Sequence, residues 1–106
     1  MKIINAEAAK KLIEQGAKII DVREPDEYIA ERIENSDLNP LSAFDPAAIL
    51  KKYDEEENLI FLCTLGKRAA RACAVVQQMD DQRENNYVLE GGLIAWKQSG
   101  YSTISG

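Results

Sequence analysis

Two short runs constrain this chain more than any other feature: "AKIIDV" (17–22) and "NLIFLC" (58–63). Each is a nearly unbroken apolar stretch, too short for a buried helix and lacking the alternation of a strand with one wet face. Such strands belong in a sheet covered on both sides, and sheets of that kind are parallel. Parallel neighbours need long crossovers, and the segments between these runs carry helical patterns. The fold class is therefore α/β, a central, mostly parallel five-stranded sheet flanked by helices on both faces.

The remaining elements fill in this alternation. "KII" is a short first strand, and Asn5 caps the helix "AEAAKKLIEQ", which Gly16 ends. Ala8, Ala9, Leu12 and Ile13 recur at helical spacing and predict its buried face. "EPDEYIAERI" reads as a helix with Pro25 near its start and carboxylates in its first turn. "ENSDLNPLSAF" reads as loop, with a short strand around 37–39, and "DPAAILKKY" as a helix capped by Asp45. A helix over 67–79 carries Ala69, Ala72, Cys73, Val76 and Met79 on one apolar stripe. "YVLEG" is the last strand, and "GLIAWKQSG" a closing helix ended by Gly100.

With 106 residues, the chain has room for one domain, spanning 1–106. The net charge of −5 gives no basic field for nucleic acid or an anionic membrane. "YDEEEN" is a solvated turn. No stretch has the apolar length of a signal peptide or a membrane span, so the expected location is cytoplasmic. Two cysteines are too few for a disulfide scaffold and would be thiols in a reducing compartment. There is no histidine, which excludes His-based triads, His metal sites and a histidine general base. A reactive thiol here has to be activated by its surroundings.

Cys63 is the thiol so placed. It closes a buried strand at the carboxyl edge of the sheet, where binding sites of parallel sheets collect, and Asp21 closes another. A cysteine at a strand end is ordinarily packing. The segment after it argues for chemistry. "CTLGKR" wraps around a helix N-terminus, Gly66 lets successive amides turn inward, and the helix dipole favours negative charge there. Lys67, Arg68 and Arg71 reverse the sign of an otherwise acidic protein, which suits a small anionic substrate. A thiolate in that setting is a competent nucleophile. Cys73 lies on the apolar stripe, ten residues further on, and reads as core.

Three segments together, "DVREPDEY" (21–28), "CTLGKR" (63–68) and "LEGGLIAW" (89–96) followed by "SGY", resemble the signatures of single-domain rhodaneses in the family's order and spacing. The resemblance spans nearly the whole chain. It implies a rhodanese-like fold and a sulfurtransferase that takes the outer sulfur of thiosulfate or a persulfide onto Cys63. Sulfite leaves when thiosulfate is the donor, and cyanide, a small thiol or a protein thiol then collects the sulfur. This is covalent catalysis in two half-reactions, with no metal or organic cofactor. Carried over, Cys63 is the persulfide carrier, and Thr64, Leu65, Gly66, Lys67 and Arg68 form the sulfur- and oxyanion-binding loop. Asp21, Arg23 and Glu24 are supporting residues, with Asp21 a strand-end anchor and Arg23 paired to Glu24 or Glu27. Gly91 and Gly92 permit a tight turn, and Trp96 packs the last helix.

The chain departs from that pattern in "ERIENSDLNP", where the family usually has a stretch like "GHIPGAINIP". Arg32 stands for the histidine, Glu34 for the proline and Asn35 for the glycine. Leu65 is apolar and Ala69 takes a frequent serine position, an arrangement expected to favour a thiol acceptor over cyanide. Two rival readings share this fold. Phosphatases and arsenate reductases also use a Cys-to-Arg loop, but such phosphatases space it with one residue more than the four here, Thr64 to Lys67. A non-catalytic or persulfide-shuttling interaction module is the other; inactive modules typically lose the cysteine, which this chain keeps.

Overall fold

A computed structural model describes residues 1–106, the whole chain. The elements run β1 (Lys2–Ile4), α1 (Ala6–Glu14), β2 (Lys18–Asp21), α2 (Pro25–Ala30) and β3 (Asp37–Leu38). After a 3₁₀ turn over Leu41–Ala43 come α3 (Pro46–Lys52), β4 (Leu59–Leu62), α4 (Lys67–Met79), β5 (Asn86–Leu89) and α5 (Gly92–Gln98). The five strands form one sheet in the order β1-β5-β4-β2-β3, and every pairing is parallel. The sheet is thus wholly rather than mostly parallel. The one antiparallel contact, Arg32 with Ile104, lies outside it.

The apolar runs are explained by position. β4 is central, and all four of its residues are buried. Leu59 and Phe61 point with Ile20, Val22 and Val88 into a core shared with α3 and α4. Ile60 and Leu62 point with Ile19 and Leu89 into a second core under α1 and α5, where Trp96 and Leu93 pack. A strand alternating between two dry layers has no solvent side to mark with polar residues.

Local chemistry sets the helix ends. Asn5 Oδ1 accepts the Ala8 amide at 2.8 Å, and Asp45 Oδ1 accepts that of Ala48 at 3.1 Å. Each cap is worth about 1 kcal/mol.

Several expectations need correction. On α1, Ala6 and Ala9 are the buried residues and Ala8 is only half-buried, because the helix is rotated to set its first turn on the sheet. Met79 is exposed: α4 outruns the sheet, and the stripe ends at Val76. α2 stops at Ala30, since Glu31 is extended and leads into the pairing of Arg32 with Ile104. β3 is two residues long. No helix is long and apolar enough to cross a membrane.

Candidate active site

Val22 donates its amide to the Leu62 carbonyl at 2.9 Å, and Asp21 pairs in register with Leu62. The carboxyl ends of β2 and β4 are therefore side by side, and "DVRE" meets "CTLGKR" there.

Cys63 follows β4 directly and is 1 % exposed. Its Sγ accepts two amide N–H bonds, from Gly66 at 3.0 Å and Ala69 at 3.3 Å. Gly66, at φ +111°, is what folds the loop back so that its own amide reaches the sulfur. The Thr64, Leu65, Lys67 and Arg68 amides find no acceptor in the protein. For the last two this follows from their place in the first turn of α4. A sulfur with two donors and a ring of unspent amides can carry negative charge and hold an anion against it. The opening over Sγ is about 150 Å³, lined by Cys63, Thr64, Leu65, Lys67 and Arg68.

Arg68 lies at this opening with its charge already engaged. Nη1 and Nη2 donate to the two Glu27 oxygens at 2.7 and 3.0 Å, and Nη2 also donates to Thr64 Oγ1 at 3.1 Å. Thr64 Oγ1 donates in turn to Glu27 Oε2 at 3.3 Å. The hydrogen bonds from Arg68 hold the Glu27 carboxyl at a pKa of about 2. Glu27 is thus a clamp from α2 onto both ends of the loop. The sequence does not mark it as a site residue, because its partner is 41 positions away and no local spacing encodes the pair.

α2 is itself fixed by Arg23. That guanidinium binds Asp21 through Nε at 3.0 Å and Nη2 at 2.8 Å, and reaches the Glu27 and Glu31 carbonyls at 3.4 and 2.6 Å. Asp21 Oδ1 also accepts the Arg23 amide at 3.0 Å. The expected pairing of Arg23 with Glu24 or Glu27 is therefore corrected to Asp21. The pair is buried, and burial favours a partner held two residues away over a carboxylate on a solvated helix turn. Glu24 donates its amide to Glu27 Oε1 at 2.9 Å, and its carboxylate accepts from Ser42, which ties down the chain after β3.

From behind, α5 braces the loop. Its Leu93 and Ile94 amides donate to the Cys63 and Thr64 carbonyls at 2.8 and 3.3 Å. A Cβ on Gly92 would lie 2.3 Å from the Cys63 carbonyl oxygen. Gly92 does more than turn the chain: it lets α5 seat directly on the back of the loop, while a Cβ on Gly91 would meet Ala95 of α5 itself at 2.7 Å.

A larger cavity, about 210 Å³, opens beside β3 and is lined by Asp37, Lys52 and Tyr53 over Ile20 and Ile49. These polar groups satisfy one another: Lys52 and the Tyr53 hydroxyl both donate to Asp37. It holds no nucleophile. No group of three metal-ligating side chains occurs anywhere in the molecule.

The rhodanese-like domain model matches residues 5–99. The chain belongs to the rhodanese-like family. It is 33% identical over 103 residues to the thiosulfate sulfurtransferase GlpE of Pseudomonas fluorescens, covering 92% of this chain and 86% of that protein. It is 34% identical over 97 residues to an uncharacterized protein of Synechocystis sp., covering 90% of this chain. It spans only about half (51%) of that relative's length. A rhodanese-related protein from Thermoplasma volcanium superposes over the full length of both chains, with a TM-score of 0.83 and 28% identity.

The altered connection of this rhodanese domain keeps a defined path. Asn35 has φ +66°, so it takes the left-handed turn in place of glycine, as asparagine does more readily than most residues. Tyr28 Oη donates to the Ser36 carbonyl at 2.6 Å, and Arg32 exchanges two 2.8 Å backbone bonds with Ile104. Arg32 is directed to Tyr28 and the Gly106 carbonyl rather than to Cys63.

Glu27→Gln is expected to lower kcat/KM about tenfold, with the conservative change Arg68→Lys giving a similar loss, because either removes the bidentate clamp. The sign for stability follows from the depressed carboxyl. Its contribution is complete above the ordinary carboxylate value of 4.5 and is lost as pH falls through about 2. The pair is about a third exposed, so that contribution is on the order of 1 kcal/mol. Unfolding free energy followed from pH 5 down to about pH 2 should therefore converge for wild type and Glu27→Gln. Parallel curves would remove Glu27 from the acid limb.

Proposed function

We propose that this domain is a sulfurtransferase that carries a sulfane sulfur as a Cys63 persulfide. The observation that supports it best is the Cys63 sulfur at the base of the loop, held by the Gly66 and Ala69 amides with four further amides unspent around it. The thiolate attacks the outer sulfur of thiosulfate or a small persulfide. The donor's sulfur–sulfur bond breaks, and sulfite or a thiolate leaves with the electron pair. The terminal sulfur on Cys63 then carries the negative charge, which the amides stabilise without rearranging. Cyanide or a thiol attacks that sulfur, and the Cys63 thiolate returns as leaving group. The relation to GlpE favours thiosulfate as donor. Thr64 to Arg68 contribute backbone donors, Lys67 the free cation, and Asp21, Arg23 and Glu24 the support beneath α2.

Intact-protein mass after incubation with thiosulfate is the direct test. One added sulfur atom, removed by cyanide and still acquired by Cys73→Ala, is the expected result. No gain with thiosulfate or with a small persulfide would overturn the reading and leave the binding-module alternative.

A further inference from the structure

The opening over Cys63 does not end at the loop. It shares Leu65 and Lys67 with a groove of about 260 Å³ that runs to the edge strand β1. Ile3, Ala70 and Val88 wall the groove, and the bare backbone of Gly66 and Gly91 lines the rest. Leu65 is 65% and Ile3 63% exposed, two large apolar side chains facing solvent along one channel. Lys67 and Arg71, one turn apart on α4, are exposed and take part in none of the ion pairs. Since Arg68 is spent on Glu27, Lys67 is the free positive charge that lines the groove, and Arg71 follows it one turn along α4, next to the groove residue Ala70. Glu90 lines it as well, so a partner's carboxylate belongs with Lys67 and Arg71.

We infer that this groove docks the cysteine-bearing segment of a protein acceptor, with an apolar side chain next to the cysteine lying between Leu65 and Ile3 and a carboxylate facing Lys67 and Arg71. The inference rests on the persulfide reading above and names the acceptor that reading leaves open. A small acceptor needs only the opening over Sγ and gains nothing from the groove. A flat protein surface could not reach a sulfur that is 1 % exposed, so the incoming cysteine sits on a protruding or flexible segment. In the transfer, the partner's thiolate attacks the outer sulfur of the Cys63 persulfide. The bond between that sulfur and Cys63 Sγ breaks with its electron pair on Sγ, so a partner persulfide and the Cys63 thiolate result and no oxidant or reductant is consumed.

The test loads the protein with sulfur from thiosulfate or polysulfide and follows its transfer to single-cysteine peptides by mass. Peptides with leucine and aspartate flanking the cysteine, in either order, should react at least about tenfold faster than the same peptides with serine for leucine. Replacing aspartate with lysine should slow transfer, and added salt should abolish that difference. Ile3→Ser and Ala70→Gln should each erase the leucine preference while transfer to cyanide stays at the wild-type rate, which also reports an intact fold. Equal rates for all peptides, or an undiminished preference in both variants, would overturn the docking site alone. Failure of Cys63 to load would remove this inference together with the proposed function.

Discussion

Cys63→Ser is expected to abolish sulfur transfer while leaving the fold in place. Serine is close in size, and its hydroxyl can still accept from the Gly66 and Ala69 amides that now reach the sulfur. What is lost is chemistry: a hydroxyl is not ionised at neutral pH and forms no persulfide. Turnover of thiosulfate and cyanide should fall by at least about a thousandfold, the scale of removing a nucleophile from a preorganised site. The melting temperature should move by only a few degrees. Cys73 offers no substitute, because burial in the α4 core pushes its thiol up to about 11. Cys73→Ala should keep full turnover at a stability cost of about 1 kcal/mol. Residual transfer by Cys63→Ser above the uncatalysed rate would place the sulfur elsewhere.

Gly92→Ala should be almost as damaging to activity, for a reason that involves no reacting group. Position 92 has φ +56°, which costs a residue with a side chain about 1 kcal/mol or more. The added Cβ would also meet the Cys63 carbonyl oxygen at 2.3 Å and Thr64 backbone atoms at 2.5 Å. These are backbone atoms, so relief requires α5 to lift from the loop and release the Leu93 and Ile94 amide bonds. Together the expected loss is about 3 kcal/mol or more, a fall in melting temperature of more than about 10 °C. Gly100→Ala is the nearer control for backbone conformation alone, since position 100 also has positive φ, at +83°, but nothing within 4 Å of the new Cβ. Calorimetry of the two variants decides the point: equal losses would mean that α5 does not brace the loop.

The motifs were legible because each is local. "NLIFLC" identifies a buried central strand from its own composition, and "CTLGKR" contains both the candidate cysteine and the glycine that bends its amide back to it. Asn5 and Asp45 announce their helices by residue type. Met79 and Ala8 depart from the expected stripes for a different reason. Helical periodicity gives the angle of a stripe but not where the sheet beneath it stops, nor how the first turn is rotated onto it. The partner of Arg23 is not legible in the sequence, because four carboxylates, Asp21, Glu24, Asp26 and Glu27, lie within four residues of it and only burial distinguishes them.

By itself, then, the sequence determined the strands, the helices between them, the parallel order that follows and the cysteine at a strand's carboxyl end. These depend on hydrophobic period, caps and turn residues, all of which act over a few positions. Only the tertiary structure decided that Glu27 holds Arg68 across 41 positions, that α5 seats on the loop through Gly92, and that Leu65 and Ile3 share one groove. Those contacts arise when β2, β4 and β5 align their ends in register. A partner brought close by sheet packing leaves no mark in the residues that flank it.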